Sequence, residues 1–191
     1  MHVPPFPRLA TRAAIALAAA CLPMMPGTAS AAVARPMDLP ELAAASDLVV
    51  RAVVQSSSPR RLPGGRFVTD HAVRIEETLA GQPGGDLAVV TTLGGEMDGE
   101  GQAVPGSPVL ARDSEVVLFL RRPGPASPMA RCSVVGLAQG AFRLDRTAGR
   151  ARLVRRLDGL ALPDPSIPSL PGDLDRLREA LQALPLRGGT P

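Results

Sequence analysis

FVTDHAVRIEETL, residues 67–79, alternates in character with a period of two. Phe67, Thr69, His71, Val73, Ile75 and Leu79 fall on one face, and Asp70, Arg74, Glu76 and Thr78 on the other. Successive strand residues point to opposite sides of a sheet, so the pattern predicts a long, half-buried antiparallel strand.

Further strand signals lie on both sides of it. Upstream, residues 48–55 (LVVRAVVQ) predict a mostly buried strand with Arg51 facing outward, followed by a Ser/Pro/Arg/Gly loop over 56–66. Downstream, the turn GQPGG (81–85) leads into a strand over 87–92. Residues 93–114 then form a long loop rich in Gly, Pro and acid, a length that compact domains reserve for function or disorder. EVVLFLR (115–121) is a central strand, and RCSVVGL (131–137), 141–144 and 151–156 supply the rest, with a tight turn at Gln139-Gly140. Asp38 followed by Glu41 is a capping box for a short helix over Leu39–Ala45, with Pro40 suited to its first turn. Asp173 caps a second helix, 173–184, with Leu174, Leu177, Leu181 and Leu184 on one stripe.

The expected class is mainly β, a small antiparallel OB-like barrel over 38–156 with a short N-terminal helix and a C-terminal helix. A β-sandwich satisfies the same pattern and stays open. A Pro-rich linker over 157–172 and a tail over 185–191 complete the expected organisation.

The first 31 residues read as a cleavable signal peptide. Arg8 and Arg12 form a positive start, Ala13–Leu22 is apolar but too short to span a bilayer, and Pro23, Pro26 and Gly27 end it. Ala29-Ser30-Ala31 offers small residues for cleavage, with Ala32-Val33-Ala34 as a second site. A lipidated Cys21 is the alternative. The expected location is the periplasm or the extracellular medium, with no membrane-spanning segment in the mature chain.

Composition narrows the function. The chain has 21 Arg and no Lys against 18 Asp plus Glu; without Arg8 and Arg12 the balance is 19 − 18 = +1. No large cationic excess remains to imply a polyanionic partner. Trp and Tyr are absent, and Phe67, Phe119 and Phe142 are the aromatic residues after the leader. Single-strand nucleic-acid binding by stacking on aromatic platforms is therefore not expected. Cys132 alone remains after residue 31, so no internal disulfide forms and the core must hold by packing.

The segments SDLVVRAVV, FVTDHAVRIEETLAG, VVTTLGGE, EVVLFL and GLAQGAF, in this order, resemble a group of poorly characterised exported bacterial proteins over roughly residues 39–145. That group is similar in outline to netrin-like domains, including the tissue inhibitors of metalloproteinases. The resemblance implies an OB-type barrel and a regulator or partner of an exported metalloprotease. The chain departs from the group at Ala52, Ala80 and Asp113-Ser114, where the group carries Gly, Lys and Gly. The inhibitors place an N-terminal cysteine amine on the catalytic zinc. A chain starting near Ala32 or Arg35 has no such cysteine, so inhibition by that route is not expected.

Few residues carry chemistry. His71 and Cys132 would be the members of a nucleophile–base pair, but both sit in strand patterns that favour burial. One His and one Cys do not furnish a zinc site. Glu96, Asp98 and Glu100, spaced between glycines, are weak candidates for holding calcium, though without the ligand order of an EF-hand. Arg121, Arg122, Arg152, Arg155 and Arg156 are candidates for binding an acidic partner. Together the residues describe an exported, non-enzymatic binding module that holds a protein partner through loops 56–66 and 93–114. An envelope-associated structural protein is one alternative; a hydrolase working through Glu96, Asp98 or Asp70 is another.

Overall fold

The computed structural model describes residues 31–124, 131–147, 150–163 and 170–187. The expected leader up to residue 30, with its Cys21 alternative, and residues 188–191 of the expected tail lie outside these. So do 164–169 of the expected linker.

The chain opens with β1 (Ala32–Val33) and then α1 (Leu39–Ala44). The predicted capping box is present: Asp38 Oδ1 accepts the Glu41 N–H at 2.8 Å and Glu41 Oε2 accepts the Asp38 N–H at 3.0 Å. β2 (Leu48–Arg61) and β3 (Phe67–Gly81) form one long hairpin, and β4 (Leu87–Leu93) lies antiparallel to β3. β5 (Gly95–Met97) and β6 (Glu100–Gln102) make a small separate hairpin. β7 (Glu115–Arg121) and β8 (Arg131–Val134) are followed by a 3₁₀ turn (Leu137–Gly140), β9 (Ala141–Thr147) and β10 (Arg150–Arg155). β11 (Leu160–Ala161) runs parallel to β1, and α2 (Leu174–Gln182) closes the described chain, capped by Asp173.

The protein is mainly β with two helices. Seven strands form one large sheet in the order β10-β9-β7-β2-β3-β4-β8. β8 is parallel to β4 through Val89–Thr91, and it also pairs antiparallel with Leu120 and Arg121 at the end of β7.

Both faces of this sheet are apolar. Val49, Val117 and Phe119 face α1 and α2, where Leu42, Leu177 and Leu181 join Phe142 and Leu144. Val50, Ala52, Val54, Val73, Val90, Leu118 and Leu120 form the core of the opposite face, completed by Leu110 and Cys132. Burying one such leucine or valine contributes roughly 1.5–3 kcal/mol, and no disulfide assists.

Several expectations need correction. β2 does not stop at residue 55. Ser56–Arg61 continues it, pairing from Ser56↔Ala72 to Arg61↔Phe67, so the expected 56–66 loop shrinks to the turn at 62–66. The run itself is polar and is held by side-chain contacts of Ser57 with His71, Arg60 with Asp70 and Arg61 with Glu100, a stabilisation that hydropathy does not register. The 93–114 loop contains the β5–β6 hairpin, whose turn Asp98-Gly99 has φ of +57° and +76°. Positive φ at both central residues is the hairpin-specific turn that Asp-Gly favours. The strand expected over 131–137 ends at Val134 and passes into the 3₁₀ turn. Leu160–Ala161, within the expected linker, is strand, and Leu160 is buried. Finally, β3 does not keep one face: Val73 and Ile75 pack with one core, Leu79 with the other. Register shifts between β2 and β3 at Val49/Val50, Arg51/Ala52 and Val54/Ser56 bend the hairpin and interrupt the alternation.

Candidate functional site

The extended β2–β3 hairpin sets four polar residues in two adjacent rows. The register aligns Ser57 with His71 and Ser58 with Asp70, while β4 brings Thr91 opposite Asp70 and Val90 opposite His71.

The first row centres on Asp70. Its carboxylate accepts from Arg60 Nε at 2.7 Å and Thr91 Oγ1 at 2.6 Å, with Arg131 Nε at 3.3 Å. Burial pushes this carboxyl up, but the Arg60 and Thr91 hydrogen bonds and the charges of Arg60 and Arg131 outweigh it, holding it below its ordinary value. The second row is neutral. His71 is 5% exposed, with Nδ1 2.7 Å from the exposed Ser57 Oγ and Nε2 3.0 Å from Thr92 Oγ1. Burial pushes the imidazole pKa down against the opposing charge of Asp70.

Beside the Asp70 cluster, and sharing Arg60, Thr91 and Arg131 with it, lies an open groove of 850 Å³, in the size range of ligand sites, roughly 300–1,000 Å³. Arg60 and Arg131 line it, together with the hydroxyl residues Thr91, Thr92, Ser107 and Ser133. Its walls are apolar: Leu62, Val68, Leu93, Pro108, Pro123 and Leu137 among others. Among the described residues, no acidic and no aromatic residue lines it. The groove gathers residues from both segments expected to carry binding, Arg60 and Leu62 from 56–66, and Leu93, Ser107 and Pro108 from 93–114.

His71 and Cys132 are both register partners of Val90, one on each side of β4. Two strand spacings, about 10 Å, separate such positions, beyond hydrogen-bond reach. The His71 ring nitrogens instead meet Ser57 and Thr92, and burial raises the Cys132 thiol pKa. The Arg122 charge opposes this rise, but burial outweighs it.

The remaining candidates separate. Glu100 pairs with Arg61, Glu96 sits on β5 and Asp98 at the hairpin turn. Among the described residues no three His, Cys, Asp or Glu side chains form a group suited to a metal ion. Arg121 and Arg122 end β7, where Arg121 Nε donates to the Ala45 carbonyl at 3.2 Å and the Arg122 N–H donates to Asp47 at 2.8 Å. Arg152 lies on β10 opposite Asp173. Arg155 packs over the Phe142 ring, 5.9 Å from its centroid, and its buried Nη1 has no hydrogen-bond partner. Arg156 pairs with Asp158 at 3.2 Å. These five arginines do not form one patch.

Sequence reasoning missed a second polar feature. Glu77 binds Arg178 at 2.8 Å and Arg51 at 3.0 Å; Arg51 reaches Glu115 at 2.6 Å, and Glu115 binds Arg146 at 2.7 Å. Arg178 holds the Glu77 carboxyl low and Arg146 does the same for Glu115, each helped by Arg51. The chain of pairs ties α2 to the sheet beside a polar cavity of 580 Å³. Its cations are largely committed to neighbouring carboxylates, which suits a strap better than a binding site.

The chain matches no family model, no curated protein and no solved structure.

Proposed function

We propose that the protein is an exported, non-enzymatic binding module that holds a protein partner in the groove beside the Asp70 cluster. The observation that carries this reading is the 850 Å³ groove itself, built on a disulfide-free sheet from both segments that sequence marks as binding segments. Apolar walls with a few placed polar groups are what partner recognition requires.

We read the pairings as an OB-like barrel. Strands β2, β3, β4, β8 and β7 pair in succession, β7 returns to β2, and β4–β8 is the parallel step. On that reading the groove lies along β4 and β8, reached by Val68 of β3, Leu62 of the β2–β3 turn and Pro123 after β7. OB-folds bind ligands through loops at such positions as well as through a strand face.

Export is read from the leader sequence of residues 1–31, and the pairing of β1 bears on where that leader is cut. The Ala32 N–H donates to Gly159 O at 2.9 Å and the Ala34 N–H to Ala161 O at 3.1 Å. Cleavage after Ala31 preserves β1, whereas cleavage after Ala34 removes it. N-terminal sequencing of the exported protein should therefore begin at Ala32; a chain retained with its leader contradicts export.

The binding reading is tested by affinity capture with the native protein and with Ser133→Trp, which fills the groove from an exposed position. The partner should be recovered by the native protein and lost with the variant. Recovery of the same proteins by both moves binding away from the groove.

A further inference from the structure

We infer that the groove recognises an Asp or Glu side chain within an extended, apolar-flanked peptide segment of its partner. This rests on the groove being the binding site and goes on to name the chemistry it reads.

Two guanidinium groups share one carboxylate: Arg60 presents Nε and Nη2 to Asp70 at 2.7 and 3.4 Å, and Arg131 presents Nε at 3.3 Å. The cluster charge is 2 − 1 = +1. Asp70 thus occupies one edge of each arginine. Arg60 engages Asp70 through Nε and Nη2, which leaves Nη1, and among the described residues Asp70 is the one acidic partner of Arg131. Asp70 is a positioning residue: it fixes two planar groups that would otherwise sample many rotamers, and preorganisation of this kind lowers the cost of binding. Arg131 is 59% exposed at its side chain and Arg60 32%, so their free edges remain open to a ligand.

The rest of the lining selects among anions. A small inorganic anion would satisfy the guanidiniums but leave Leu62, Val68, Leu93, Pro108 and Leu137 uncovered. An oligonucleotide would bring repeated phosphates to a single cationic point and find no aromatic ring among the described lining residues to stack on. A peptide with one carboxylate between apolar side chains matches both the charge and the walls, and a carboxylate accepts a paired hydrogen bond from a guanidinium.

The test uses the domain from Ala32 onward, immobilised, and three pools of acetylated, amidated ten-residue peptides. The pools carry Glu, Gln or Lys at a fixed central position and randomised apolar or small residues around it; blocked termini remove the C-terminal carboxylate as a competing source. The Glu pool should be retained at least tenfold over the Gln and Lys pools, and the preference should weaken as salt rises from 50 to 500 mM. Arg131→Gln should reduce retention about tenfold and Arg131→Glu should reverse the preference towards Lys. Arg112→Glu, a change at an exposed arginine away from the groove, should leave it intact. Thermal unfolding of each variant checks that the exposed substitutions keep the fold. Equal retention of the Glu and Gln pools, or retention unchanged in Arg131→Glu, overturns acid recognition while leaving the groove as a binding surface. Retention of no pool also overturns it, and Ser133→Trp capture then decides whether the binding reading falls as well.

Discussion

Arg60 Nε donates to Asp70 Oδ2 at 2.7 Å across the β2–β3 pair. The contact forms in a stretch that hydropathy assigns to a loop, and it joins Arg60 to the carboxylate that also holds the groove residues Thr91 and Arg131. Asp70 is therefore as much a structural hinge-pin as a site residue. Asp70→Asn should lower stability by about 1–3 kcal/mol, the cost of leaving a charged partner unmatched, as read by urea unfolding. The same change should loosen Arg131 without altering the opposite face. Unchanged stability would mean that the three groups around Asp70 are adequately solvated without it.

The low carboxyl pKa values of Asp70, Glu77 and Glu115 set an acid limit. Folded-state values below the unfolded ones mean that the unfolded chain binds more protons. Their contribution is fully present above about pH 4.5 and is lost as pH falls through the folded values. Urea midpoints should fall steeply below pH 4.5, beyond the shallower loss that His71 adds below pH 6.5. Removing one member, as in Glu77→Gln, should flatten that fall while lowering the plateau.

His71 adds a window at higher pH. Burial depresses its pKa below the ordinary 6.5, so the neutral ring stabilises the fold above that value and the contribution is lost as pH falls through the folded pKa. Nitrogen-resolved NMR should show one protonated and one unprotonated ring nitrogen at pH 7, with titration beginning below 6.5. A His71 ring titrating at or above 6.5 would contradict the burial seen here.

The docking of α2 gives a packing prediction. Leu177 is 2% exposed and lies among Leu42, Phe119 and Leu181 in the helix-covered core. Leu177→Ala should cost about 2–5 kcal/mol. Hydrogen exchange should accelerate first in α2. Loss spread evenly through β2, β3 and β7 would show instead that the helix is integral to the sheet.

Gly140 tests close packing. A Cβ there would sit 2.4 Å from the Val135 carbonyl oxygen and 3.1 Å from Phe119 Cβ. Gly140→Ala should destabilise by about 1–3 kcal/mol through overpacking, visible as a lower melting temperature. A neutral Gly140→Ala would mean that the 3₁₀ turn shifts freely.

How much of this was legible depends on which interaction fixes each element. EVVLFLR gave its strand because apolar partners bury both of its faces, and Asp38 and Glu41 gave α1 because a capping box is local. The end of β2 was hidden because Ser57, Arg60 and Arg61 are held by His71, Asp70 and Glu100, contacts that exist only after pairing. The β5–β6 hairpin could have been found from Asp98-Gly99, but three-residue strands leave little alternation to read. The two segments expected as loops contribute to the groove, but 56–61 does so as strand, through Arg60, and 93–114 through Leu93 at the end of β4 and the loop residues Ser107 and Pro108. The charged centre was not legible, because Asp70 and Arg131 are 61 residues apart and meet through the β3–β4–β8 register. Gln139 was read only as part of a turn. Its buried amide accepts the Met37 N–H at 2.8 Å and donates to Arg35 O at 3.1 Å, tying the N-terminal segment to the far end of the chain's core.

The account turns on where a partner sits. A photo-crosslinking amino acid placed at Leu93, 47% exposed at the groove, should yield a specific adduct in living cells. The same group at Leu87, 57% exposed at the other end of β4 and outside the groove, should yield none. Adducts that form at Leu87 and not at Leu93, or equally at both, would contradict the groove as the binding surface.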